Sequence, residues 1–274
     1  MERSLTIKHG ALNLAATIHY PPPAEGKGEC NKLPLVIITH GFVGNRIGVD
    51  RLFVLAAREF AGRGSLVIRF DFAGCGESDG VYGDHGLDSM IEQTRSVLDY
   101  ALGLDIVDPT RVALLGHSLG GSVALLTGVR DRRVKSLALW SPVAYPFNDI
   151  LRIVGRKAYD EAVTKGEADY LGYSIKPAFF DALMKHQPFQ ETQKFPGDVF
   201  LVHGTGDETI PVDYTFLLEK TFWLRGEGRC EKSIIFQADH TYSKGEHKAQ
   251  LFKATGDWLC GYEQRQRDWQ HWSI

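Results

Sequence analysis

The chain has 274 residues, 43% hydrophobic and 24% charged, with a formal net charge of −3. That size and balance suit one large α/β domain, or one carrying an insertion. They exclude the electrostatic footprint of a nucleic-acid binder, because basic residues are scattered among acids. No run is long enough to span a bilayer.

In chain order, residues 3–8 and 12–19 alternate like two antiparallel strands joined around His9-Gly10. A polar connection with prolines and glycines, residues 21–32, leads to the β-branched run 35–39, a buried strand. Residues 52–61 have helical periodicity, 66–70 read as a strand and 87–102 as a helix. Residues 111–115 form the next strand, followed by a small-residue helix from Gly120. Residues 134–140, 199–202 and 233–236 supply three further strands. Strands alternating with helices argue for a mostly parallel, twisted sheet covered on both faces.

The rhythm breaks between Ala144 and Lys194. Helix-like pieces occur at 149–159, 160–165 and 178–185, with no strand of the preceding kind. The stretch is too long for a single βα connection. It reads as a helical cap over the site, with Tyr145, Tyr170 and Tyr173 as candidate substrate contacts. The division is therefore 1–143 and 195–274 for the core and 144–194 for the cap. The tail, 263–274, carries Trp269 and Trp272 and packs on the body or on a second subunit.

The chemistry concentrates at Gly116-His117-Ser118-Leu119-Gly120. This G-x-S-x-G follows a strand and opens a helix, the context of a nucleophile elbow. The sharp turn lifts the serine Oγ above the sheet, and glycines flank it because Cβ atoms would not fit. Downstream come Asp207, in His203-Gly204-Thr205-Gly206-Asp207, and His240, in Ala238-Asp239-His240. Both lie just past the carboxyl ends of strands, the edge where open α/β sheets place their sites. Ser118 is thus the candidate nucleophile, His240 the base and Asp207 its orienting acid. Glu208 and Asp239 are rivals for the acid: Glu208 points away if Asp207 points in, and Asp239 adjoins His240 too closely to orient its ring. His40, His117 and His203 read as local hydrogen-bonding residues, Asp71 and Ser78 as ties within their own loop. Residues 130–133 read as solvated surface.

Five marks together resemble the α/β-hydrolase superfamily over nearly the whole chain: His40-Gly41-Phe42, the stretch 70–80, the serine motif, the Asp207 motif and the His240 motif. Within it they are similar to bacterial carboxylesterases of the cinnamoyl/feruloyl-esterase type and to monoacylglycerol-lipase-like enzymes. The resemblance implies the α/β-hydrolase fold with an oxyanion hole made by the N–H groups of Phe42 and Leu119. The stretch 70–80 departs from the usual pattern, with Ala73 in place of a polar residue and Cys75 where His or Tyr is common.

The implied activity is serine carboxylesterase action on small, medium or aromatic acyl esters, through an acyl-enzyme. The alternatives are a thioesterase or small amidase or peptidase on the same triad, and a non-catalytic ligand-binding member of the fold. No cofactor or metal is expected. Cys30, Cys75, Cys230 and Cys260 are widely spaced and read as reduced thiols. The start lacks an apolar signal region, so the cytoplasm is the expected compartment. The partner is a small-molecule ester, and the resemblance admits a homodimer.

Overall fold

The computed structural model describes residues 1–23 and 32–262. Most of the expected connection at 21–32, with Cys30, and all of the tail at 263–274 lie outside the described residues. Ten strands occur among the described residues: β1 (Glu2–His9), β2 (Leu12–His19), β3 (Leu33–Thr39), β4 (Leu66–Phe70), β5 (Val107–His117), β6 (Ser136–Trp140), β7 (Ala168–Tyr170), β8 (Tyr173–Ile175), β9 (Asp198–Gly204) and β10 (Cys230–Ile235). The helices are α1 (Leu52–Gly62), α2 (Leu87–Leu102), α3 (Leu119–Arg130), α4 (Pro146–Val154), α5 (Arg156–Lys165), α6 (Pro177–Met184), α7 (Pro188–Glu191), α8 (Asp213–Trp223) and α9 (Gly245–Cys260).

Eight strands make one sheet in the order β1-β2-β4-β3-β5-β6-β9-β10. β2 alone runs against the others. The sequence dictates two covered faces. Successive side chains on a strand point to opposite sides, and the central strands are apolar at nearly every position. Leu35, Ile37, Leu114, Leu139 and Leu201 pack on one side, with α2 and α3. Val36, Ile38, Leu115, Trp140 and Val202 pack on the other, with α1 and α9. Trp140 is fully buried and its indole N–H donates to the Thr255 hydroxyl at 3.0 Å, which ties β6 to α9.

Between β6 and β9 the chain leaves the sheet, where the sequence reading expects a cap. The helix expected over 149–159 is two helices, α4 and α5. Gly155 breaks it with φ 87°, a left-handed backbone value that ends the first helix. The hairpin β7–β8 was not anticipated, because three-residue strands leave too short a periodic signal. One surface reading is corrected. Asp131 is buried and accepts hydrogen bonds from the Arg133 side chain at 2.9 and 2.6 Å. No helix among the described residues is long and apolar enough to cross a membrane.

Candidate active site

β5 runs directly into a turn at Ser118, and α3 starts at the next residue. Ser118 has φ 57° and ψ −124°. Such a conformation costs a non-glycine residue about 1–3 kcal/mol and persists only where neighbours hold it. Here the Ser118 N–H donates to the Trp140 carbonyl at 3.0 Å. The Ser118 carbonyl accepts from the N–H groups of Gly121, at 2.9 Å, and Val143, at 3.0 Å. The flanking glycines make the turn physically possible. A Cβ on Gly120 would lie 2.2 Å from the Thr39 carbonyl oxygen, and one on Gly116 2.2 Å from the Gly120 oxygen.

The loops after β9 and β10 bring Asp207 and His240 together. His240 Nδ1 donates to Asp207 Oδ2 at 2.7 Å. With Nδ1 so engaged, Nε2 is the ring nitrogen left for chemistry. The Asp207 carboxylate is wholly buried. Its second oxygen accepts the backbone N–H groups of Thr209, at 2.9 Å, and Ile210, at 2.8 Å. His203 Nε2 lies 3.1 Å from Asp207 Oδ2. Burial works against the charge on Asp207. The hydrogen bonds from His203 and His240, the His240 charge and the Ile210 N–H outweigh it and hold the carboxyl well below the ordinary carboxylate range.

Neither rival acid bonds His240 among the described contacts. Glu208 is exposed. Asp239 accepts the N–H groups of Thr241, at 3.1 Å, and Ser243, at 2.9 Å, and so closes its own turn.

Ser118 and His240 line one cavity of about 340 Å³, together with Gly41, Phe42 and Tyr170. A Cβ on Gly41 would come within 3.0 Å of the Ser118 Cβ, so the loop after β3 presses on the serine turn. Among the described residues, neither the Phe42 nor the Leu119 N–H donates to another group of the protein. The Phe42 ring packs 5.6 Å from Tyr170 and 5.8 Å from both Tyr82 and Phe179, which joins this loop to the segment between β6 and β9. Of the three tyrosines singled out from sequence, only Tyr170 lines the cavity. Tyr145 instead packs on Phe189 and Tyr214, and Tyr173 on Tyr82. Sequence reasoning missed Asn45, Leu52, Phe53, Ile153, Thr209 and Thr241 as cavity residues. Their neighbourhood of the His40-Gly41-Phe42, Asp207 and His240 motifs was the available signal for Asn45, Thr209 and Thr241.

No Asp, Glu, Lys or Arg is among the described residues that line this cavity. Another cavity, of about 290 Å³, opens near the first residues of β3 and β6 and has no histidine among its lining residues. No three His, Cys, Asp or Glu side chains among the described residues gather as a metal site.

The remaining motif residues brace this edge. The Phe72 N–H donates to His40 Nε2 at 3.0 Å, so His40 carries its proton on Nδ1 and donates it to the Gly41 carbonyl at 2.9 Å. Asp71 accepts the Glu77 N–H at 3.0 Å, and the Ser78 hydroxyl donates to the Asp71 carbonyl at 2.6 Å. Asp71 also pairs with Arg46, which the sequence did not suggest. Cys75 is buried outside the cavity lining, and burial pushes its thiol pKa up.

Comparison with known proteins agrees with this fold. A family model for serine aminopeptidase, S33, matches residues 31–166. An uncharacterized 31.7 kDa protein of the traX-finO intergenic region of Escherichia coli is 36% identical over 120 residues, 44% of this chain and 40% of that protein. Thiohydrolase apmlB of Arthrinium phaeospermum is 29% identical over 161 residues, 55% of this chain and 52% of that one. The chain thus spans about two-fifths to half the length of these curated relatives. Est1E from Butyrivibrio proteoclasticus, solved with ferulic acid bound, superimposes with a TM-score of 0.80 at 26% identity. That match covers 93% of this chain and 98% of the other.

Proposed function

We infer that this member of the α/β-hydrolase superfamily is a serine hydrolase of uncharged carboxylic esters. The observation that carries the reading is the 2.7 Å bond from His240 to a buried, fully hydrogen-bonded Asp207, at a cavity that Ser118 also lines. In this reading Ser118 Oγ attacks the ester carbonyl while His240 Nε2 takes its proton. Asp207 keeps the imidazole in the required tautomer and stabilises the imidazolium that forms. The Phe42 and Leu119 N–H groups receive the oxyanion of the tetrahedral intermediate, where one donor is typically worth about a hundred- to a thousand-fold in rate. His240 then returns the proton to the leaving alcohol. Water, activated by the same base, hydrolyses the acyl-enzyme.

Residues 144–194 act as a cap in this account, with Ile153 and Tyr170 as its contributions to the cavity wall. The described lining residues carry apolar side chains, an amide, hydroxyls and imidazoles, with no Asp, Glu, Lys or Arg among them, which favours a neutral substrate. An unpaired charge brought into such a site loses its hydration without compensation. An aminopeptidase reading needs a carboxylate for the substrate's α-ammonium group, and the described lining residues offer none. The likeness to Est1E supports an aromatic acyl ester as the first substrate to try.

A p-nitrophenyl ester series of increasing acyl length, with methyl ferulate, tests the reading on wild type and Ser118→Ala. Turnover by wild type and its loss in the variant is the expected result. Undiminished turnover by Ser118→Ala overturns it. The thiohydrolase relative gives thioesters a specific claim to the same site. Matched ester and thioester substrates of one acyl group decide between them, and a clear thioester preference replaces the ester assignment.

A further inference from the structure

Asp207 Oδ2 faces two imidazoles, those of His240 at 2.7 Å and His203 at 3.1 Å. The mechanism uses only the first. His203 is wholly buried at the end of β9 and sits in a closed set of partners. Its Nε2 lies 3.1 Å from Asp207 Oδ2 and also 3.1 Å from the Ile210 carbonyl oxygen. Its Nδ1 lies 2.8 Å from the Thr215 hydroxyl, on α8. Both neighbours of Nε2 only accept, so the proton belongs on Nε2. The Thr215 hydroxyl then donates to Nδ1, and no buried polar atom of the set is left unpaired.

We propose that His203, its ring oriented by Thr215, is a positioning residue that fixes Asp207 against His240. The proposal rests on the triad reading above. The two Asp207 oxygens then receive four donors: His240 and His203 on one, Thr209 and Ile210 N–H groups on the other. Such a carboxylate has no freedom to rotate without losing a buried bond. The oxygen offered to His240 is therefore set before substrate arrives. Losing the Thr215 hydroxyl leaves Nδ1 without its donor and removes the bond that fixes the ring plane. The ring is then free to tilt away from Asp207 Oδ2, which loosens one side of that carboxylate. Charge-assisted bonds of this kind weigh more than neutral ones.

The test compares Thr215→Val, which removes the hydroxyl, with Thr215→Ser, which keeps it, and with His203→Leu. Imidazole ¹⁵N spectra of the full chain report the tautomer of His203 and the bonding of His240 Nδ1. Steady-state ester hydrolysis reports kcat and KM. The proposal expects His203 protonated at Nε2 in wild type and in Thr215→Ser. In Thr215→Val the His203 Nδ1 signal moves to that of an unbonded lone pair, the His240 Nδ1 signal shifts, and kcat falls about ten-fold or more with KM little changed. His203→Leu shifts the same His240 signal where that variant folds. A wild-type His203 protonated at Nδ1 overturns the proposal, as does a folded Thr215→Val with wild-type spectra and kcat. The spectra need no substrate, so a wild type inactive on every ester would count against the ester reading while the tautomer test still stands.

Discussion

His117 donates from Nε2 to the backbone carbonyl of His240 at 2.8 Å, so the residue before the proposed nucleophile anchors the loop of the proposed base. The two imidazole rings also lie 4.8 Å apart, centroid to centroid. This bond needs a proton on Nε2 but no charge on the ring. Burial, and then the neighbouring His240 charge, drive His117 down to about 3.

That shift makes stability depend on pH. A histidine in the unfolded chain titrates near 6.5. Between about 3 and that value the unfolded state binds the proton and the folded His117 does not. Stability is therefore full above about pH 6.5 and falls as pH drops, by up to about 1.4 kcal/mol per pH unit for this one residue. His19, lowered by burial and the Arg69 charge to about 4, acts in the same direction. Asp207, whose pKa is depressed, adds a loss only below the ordinary carboxylate range. Melting temperatures between pH 7 and 4.5 should fall for wild type and fall less steeply for His117→Gln. An identical slope in the variant contradicts the account.

Two glycine substitutions should behave oppositely. Gly120→Ala drives a Cβ to 2.2 Å from backbone oxygen, and the turn beneath Ser118 has to move. A loss of several kcal/mol and of activity is expected. Gly62, at the last turn of α1, has nothing within 4 Å of the added methyl. Gly62→Ala should be neutral or gain up to about 1 kcal/mol. Denaturant titration of both proteins measures the contrast.

Cavity size should set acyl preference. Ile153 and Tyr170 stand on the segment between β6 and β9 and line the cavity. Truncating either to Ala opens space without touching Ser118 or His240. Bulky acyl esters should gain about ten-fold or more in kcat/KM over acetate, the scale set by 1–3 kcal/mol of pocket contact. Unchanged ratios across the ester series would place the acyl group elsewhere.

Charge should be rejected. With no Asp, Glu, Lys or Arg in the described cavity lining, an ester bearing a free carboxylate or ammonium beside the scissile bond loses solvation and finds no dedicated counter-charge. Its kcat/KM should fall at least about a hundred-fold below that of the matched neutral ester. Comparable rates for an α-amino acid ester would point back to peptidase chemistry.

The parts legible in the sequence were those with local causes. Strand β4 and helix α2 were readable to the residue, because a short apolar run and a helical period need no distant partner. The serine turn was readable because the motif that marks it spans five residues, although Gly120 answers to the distant Thr39 carbonyl. The segment after β6 was readable only in outline. Gly155 splits one expected helix there, and a short hairpin forms whose strands pair only with each other. The cavity wall was least legible. Tyr145 and Tyr173 were plausible by composition alone, yet Tyr170 is the one that lines it, since the choice depends on how this segment packs against Phe42. The His203–Asp207 bond joins residues four apart, but its direction is set by α8 and could not be read from spacing.

The central claim is that Ser118 is an activated nucleophile driven by His240 and Asp207. Labelling with a fluorophosphonate, followed by peptide mapping, tests it without a known substrate. One adduct per chain on Ser118, absent in Ser118→Ala and strongly slowed in His240→Ala and Asp207→Ala, is the expected result. An unlabelled Ser118 in folded wild type, or labelling as fast in the His240 variant, would contradict the account.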